Sequence, residues 1–415
     1  MATSTDSDAV LRGGRDPSLP ATPLDPPRYW DWVLYAVVVS SAFIVIGLIW
    51  DIAWHRTIGR DTLWSPPHVL EQIGASLAGL SCGALVLKAT FAGTPAERAA
   101  SVRFWGFRGP LGAWVCIWGA LAMIASVPFD DWWHNAYGLD VVIISPPHLV
   151  LLAGMIGIQV GAMLMALRAQ NNAVGGARPA SAETADDPRR YTWLFALAAG
   201  FMLTMGLVIV SSDTAFPNLY RSSAFYRWTA LPVPFALMAA AFSLRVRWPA
   251  TAVAAVYMAV FAAQLWILQA VPAEPLLGPI RRPLTRMSPL NFPLLIIAPA
   301  LAIDVLVRKW RGRNGWLLAA AGALLFTATM LAVHWPWAEF MVSPAADNYL
   351  FGDNRWTYMD PPADWQTEHW VWDGGPDGAW SAAAFGRGLA IATVTAFLTG
   401  RVGIAFGRWM RQVRR

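Results

Sequence analysis

A chain of 415 residues that is 56% hydrophobic and 14% charged has too little polar surface to clothe a water-soluble globule. Its net charge of +5 rests on arginine, since Lys88 and Lys309 are the two lysines, and it is spread over loops rather than gathered into a binding stripe. Composition therefore excludes a soluble enzyme or a nucleic-acid-binding protein and makes the lipid bilayer the first partner.

In chain order, residues 1–28 are polar and Pro-rich, which predicts a disordered tail without a signal peptide. Apolar runs of about twenty residues, enough to cross a bilayer core at about 1.5 Å each, then recur ten times, at 29–51, 68–91, 110–129, 147–168, 191–212, 228–246, 249–271, 290–307, 315–334 and 383–406. The fold class predicted is all-α, a polytopic membrane protein of about ten transmembrane helices, because barrel strands would read as short alternating segments. The expected organisation is a four-helix half over 29–168, a cytoplasmic linker over 169–190, a five-helix half over 191–334, a Trp-rich outer loop over 335–382, and a last helix with a basic tail over 383–415. Cys82 and Cys116 fall inside predicted helices and read as small buried residues.

Loops after even-numbered helices carry Arg98, Arg103 and Arg108, then Arg189 and Arg190, then Arg245 and Arg247, then Arg308, Lys309, Arg311 and Arg313. The positive-inside rule puts these loops and both termini in the cytoplasm, as expected of an inner-membrane protein. One basic loop, with Arg281, Arg282 and Arg286, falls outside by the count and breaks the pattern. All six histidines then gather at the outer face.

A motif occurs twice. Residues 51–68 read DIAWHRTIGRDTLWSPPH and residues 130–148 read DDWWHNAYGLDVVIISPPH. Two membrane spans separate the copies, which predicts a parallel repeat of two helix hairpins. Asp51 and His55 are four apart, as are Asp130 and His134, so a helix continuing through them puts both side chains on one face. Ser65 and Ser145 stand at N-cap positions before Pro-Pro, which places His68 and His148 in the first turn of the next helix. Gly59 and Gly138 allow the turn between. Two histidines and a carboxylate without thiolate suit copper, zinc or non-haem iron. The plainer alternative is that Ser-Pro-Pro starts a helix and that the His and Trp side chains are interfacial anchors.

The copies differ at one position. Glu71 follows His68 by three residues, where the second copy has Leu151, so Glu71 is the candidate catalytic or metal-bound carboxylate of the first site. Asp61, Asp131, Asp140, His334 and His369 are candidates for the second shell or for substrate contact. The outer loop combines Trp335, Trp337, Trp356, Trp365, Trp370, Trp372 and Trp380 with acidic residues and reads as a cap over the helix ends.

The spacing Asp-x3-His-x12-His at Asp51, His55 and His68 resembles the membrane copper site of the C subunit of the particulate methane and ammonia monooxygenases. The likeness covers about twenty residues. It implies copper at Asp51, His55 and His68 and, by repetition, at Asp130, His134 and His148, where the copy is one residue longer. It also implies a monooxygenase-like oxidative subunit, with other membrane subunits and a periplasmic metal or electron donor as partners. Two other functions fit the residues: a transporter or metal-delivery factor lined by the hairpins, and a structural subunit docking a partner through its Trp-rich loop.

Overall fold

The computed structural model describes residues 29–59, 62–138, 145–175, 188–211, 217–353, 355–360 and 380–414. The predicted tail 1–28, the core of the linker, most of the Trp-rich loop from 361, and the candidates Asp61, Asp140 and His369 lie outside the described residues. The chain is a polytopic all-α membrane protein, with one short hairpin of β1 (Val102–Phe104) and β2 (Phe107–Gly109).

Among the described residues, eight helices are long and apolar enough to cross a membrane. They are α1 (Tyr29–Thr57), α2 (Pro66–Phe91), α4 (Leu111–Tyr137), α5 (Pro146–Gly175), α6 (Pro188–Ser211), α9 (Pro249–Leu268), α11 (Gly315–Val342) and α12 (Ala382–Met410). Shorter helices are α3 (Pro95–Ala99), α7 (Ser223–Thr229), α8 (Pro232–Ser243) and α10 (Ile297–Lys309). Among the described residues, eight of the ten expected segments are uninterrupted spans, and the other two, 228–246 and 290–307, are interrupted.

The first break is proline-driven. Pro232 and Pro234 cannot donate to the carbonyls one turn back, so the helix stops between α7 and α8. The freed carbonyl of Ala230 is instead taken by the Thr399 hydroxyl of α12 at 2.8 Å. The two pieces still run the length of α12, since Ser223 lies against Gly388, Phe235 against Gly403 and Ala239 against Gly407.

The second break is an extended approach to α10, which has only 13 residues, about 20 Å of helix. Residues 288–296 expose backbone that lipid could not solvate, and side chains satisfy it. Gln264 Oε1 accepts from Leu290 N–H, Tyr257 Oη from Leu294 N–H, and His334 Nε2 from Leu295 N–H at 3.2 Å.

Polar contacts fix which helix ends share a face. Asp31 at the start of α1 accepts from Arg190 and Tyr191 at the start of α6, and Asn171 near the end of α5 donates to the carbonyls of Met410 and Val413 at the end of α12. Thr192 donates to Gln170, which joins those two groups. The start of the first helix and the end of the last therefore lie on one face. The two His-bearing turns, α1 to α2 and α4 to α5, lie on the opposite face, and all five described histidines lie towards it.

Over that second face the loop from Pro272 to Asn291 and the described part of the Trp-rich loop fold together. Tyr358 N–H donates to Arg56 O, Arg281 and Arg282 N–H donate to Tyr358 O, Ser288 N–H donates to Thr57 Oγ1, and Leu276 N–H donates to Ile58 O. Here the misplaced arginines find their reason: Arg282 stacks on Trp356 at 5.0 Å and Arg286 donates to Ala270 O, so they hold the cap. Cys82 and Cys116 are free and fully buried, as expected.

Candidate metal centre

The turn that builds each site follows from its sequence. α1 continues through Asp51 and His55 to Thr57, and α4 continues through Asp130 and His134 to Tyr137, so each pair sits one turn apart on one face. Gly59 (φ 81°) and Gly138 (φ 100°) then turn the chain in the left-handed half of backbone space. Each return helix opens on Pro-Pro, with His68 or His148 as its third residue. Ser145 accepts from His148 N–H at 3.4 Å, whereas Ser65 departs from the cap role and accepts from Thr62 N–H at 2.8 Å.

The second copy converges most tightly. Asp130 Oδ2 lies 3.3 Å from His134 Nε2 and Asp130 Oδ1 lies 3.4 Å from His148 Nε2. One ligand atom from each of the three falls within 4.8 Å of the others, and among the described residues this is the group that converges to that degree. Ligands about 2.1 Å from a tetrahedral ion stand about 3.4 Å apart, so the two shorter edges have the length that chelation requires. In the first copy Asp51 Oδ1 reaches both rings, at 3.1 Å to His68 Nε2 and 3.7 Å to His55 Nε2. His55 is exposed.

Proton placement sharpens the reading. His134 Nδ1 faces Gly138 O at 3.2 Å and His68 Nδ1 faces Thr62 O at 2.9 Å. A carbonyl only accepts, so Nδ1 carries a proton and Nε2 is the nitrogen turned towards the carboxylate. Asp51 Oδ1 and Asp130 Oδ1 are buried without a hydrogen bond. Either a proton or a metal ion between Nε2 and the carboxylate oxygen would satisfy both atoms. One metal ion would satisfy all three groups at once. The donor set of two imidazoles and one carboxylate, with Nδ1 held by a loop carbonyl, is the arrangement that orients metal-bound histidine elsewhere.

Glu71 is buried one turn deeper than His68, near enough to Asp51 and His68 to interact electrostatically with both. Its stem fills the space left by Gly47, where an added Cβ would come within 2.5 Å of Glu71 Cγ. The second copy has Ser126 at the position of Gly47 and Leu151 at that of Glu71. Gly47 carries no chemistry of its own, and a glycine one turn before Asp51 was the available signal.

Other candidates are placed elsewhere. Asp131 is exposed and accepts from Asn135 at 3.3 Å, on the side of α4 away from Asp130. His334 is fully buried among Tyr220 and Phe225, with Nδ1 donating to Met330 O of its own helix and Nε2 accepting from Leu295 N–H of the extended segment, so both nitrogens are taken by backbone. Asp304, one turn before Arg308 on α10, caps α9 by accepting from Ala250 N–H, Thr251 N–H and the Thr251 hydroxyl. No known protein family, curated protein or solved structure matches the chain. What is established is therefore a multi-pass helical membrane protein with an Asp/His cluster able to hold a metal ion.

Proposed function

We propose that the chain is a copper protein of the cell inner membrane, holding one ion at Asp130, His134 and His148 and a second at Asp51, His55 and His68 on the outer face. The observation that carries this reading is the convergence of three ligand atoms within 4.8 Å around a buried, unbonded Asp130 Oδ1. Two imidazoles and a carboxylate would also accept zinc or non-haem iron, and the absence of thiolate separates all three from a cluster site. Copper is preferred because the Asp-x3-His-x12-His spacing resembles the monooxygenase C subunit. A bound copper ion would supply one-electron and oxygen chemistry, with Glu71 positioned to hold a proton beside the first site. Both termini would then be cytoplasmic, and an external metal or electron donor would reach the sites from the outer side.

The test is metal content of the purified full-length protein by elemental analysis, with spin-resonance spectroscopy for Cu(II). His134→Ala with His148→Ala should remove one ion while the protein stays inserted and monodisperse. Stoichiometry unchanged by that pair would overturn the assignment.

The broken α7–α8 span and the extended segment before α10 favour a second reading, a transporter or metal-delivery factor, because interrupted helices line many transport sites. Against it, the freed backbone groups are taken by Thr399, Gln264, Tyr257 and His334, which fills the places a cargo would use. Uptake of copper into vesicles, abolished by the same His134 and His148 substitutions, would decide for transport.

A further inference from the structure

The face opposite the triads holds a cavity of about 250 Å³ among the ends of α8, α10 and α12 and the start of α9. Five arginines line it, Arg245 and Arg247 from the α8–α9 loop, Arg308 and Arg311 from the end of α10, and Arg411 after α12. The one carboxylate in the wall, Asp304, is already committed to three donors at the start of α9. Arg308 and Arg247 lie over the Trp248 ring at 4.4 and 5.6 Å, which holds their guanidinium groups at the rim while leaving in-plane N–H groups free to donate. Arg245 and Arg311 lie close enough to Arg411 that their repulsion, added to partial burial, lowers its pKa.

Membrane orientation requires arginines in loops on one side, but it does not require three separate loops to aim five of them into one concavity. Like charges so placed repel, and the repulsion is relieved when an anion enters. Guanidinium forks match phosphate oxygens two at a time, and basic pockets between helices at a membrane edge hold lipid phosphates.

We propose that this cavity binds a phosphate group, carried by the head group of an anionic phospholipid or by a soluble phosphate compound. Delipidated full-length protein would be offered nanodiscs of phosphatidylglycerol or phosphatidylcholine, and separately pyrophosphate, with bound ligand read by native mass spectrometry. The parent should retain phosphatidylglycerol over phosphatidylcholine. Arg245→Gln with Arg311→Gln should weaken that retention about fivefold for each arginine removed. Without ligand, the same variant should melt no lower than the parent, because like-charge repulsion has been removed. Arg281→Gln, on the opposite face, should change neither. Pyrophosphate binding that depends on Arg245 and Arg311, without a lipid preference, would support the site and assign it the soluble source. If the double variant does not fold, Arg311→Gln alone carries the test. Retention of both probes unaffected by these substitutions, or no binding of either, would overturn the proposal.

Discussion

Both copies of the Asp-His-His motif set an i, i+4 Asp-His pair at a helix end against a His in the first turn of the next helix, and they differ in what surrounds it. In the second, each oxygen of Asp130 faces one ring, and one ligand atom from each of the three residues lies within 4.8 Å of the others. In the first, Asp51 reaches both rings with a single oxygen, His55 stands exposed, and Glu71 is buried beneath. The comparison separates two properties that one motif can carry. Preorganisation belongs to the second copy, whereas a further carboxylate belongs to the first.

The largest test of that contrast is a copper titration. Two unequal steps are expected, with the tighter one lost in His134→Ala/His148→Ala and the weaker one lost in His55→Ala/His68→Ala, each by more than about a hundredfold. Loss of the tighter step from the first-copy variant would reverse the ranking. Smaller in effect, Gly47→Ala should destabilise the protein by about 1–3 kcal/mol, because its Cβ would overlap the stem of Glu71, while Ser126→Ala should cost less than about 1 kcal/mol. Thermal melting of the two variants checks the difference, and equal costs would mean that Glu71 is free to move aside.

Glu71→Gln keeps shape and hydrogen bonding and removes the charge. It should weaken metal at the first site about tenfold and leave the second unchanged, the magnitude expected for a group acting beside the ligands. A variant with parental metal content at both sites would reduce Glu71 to packing. The smallest effect is expected at Asp131, whose carboxylate turns towards Asn135. Asp131→Asn should leave metal content and melting temperature within error, and a lost ion there would show that the cluster extends around α4.

A related contrast separates the histidines. Those at 55, 68, 134 and 148 point ring nitrogens at a carboxylate, whereas His334 spends both nitrogens on backbone. Histidines on one face of a membrane protein thus include carboxylate-facing candidate ligands and backbone partners, and residue type alone does not distinguish them.

The sequence by itself determined the solvent, the helical class and the two local sites. Those follow from short-range rules: an i, i+4 pair on a continuing helix, a glycine turn, and Pro-Pro restarting the next helix with histidine in its first turn. The hydropathy of 228–246 and 290–307 was equally legible, but burial in lipid and burial in protein look the same to an apolar count. Pro232 and Pro234 mark the first break in the sequence, but only tertiary partners let both spans stand interrupted, because Thr399, Gln264, Tyr257 and His334, distant in sequence, supply hydrogen bonds that uninterrupted helix would have made. The same holds for the cap arginines and for Asp304, whose roles depend on loops brought together from far along the chain. Which copy closes around a common point was likewise settled by rotamers and helix approach, to which the spacing of a motif is blind.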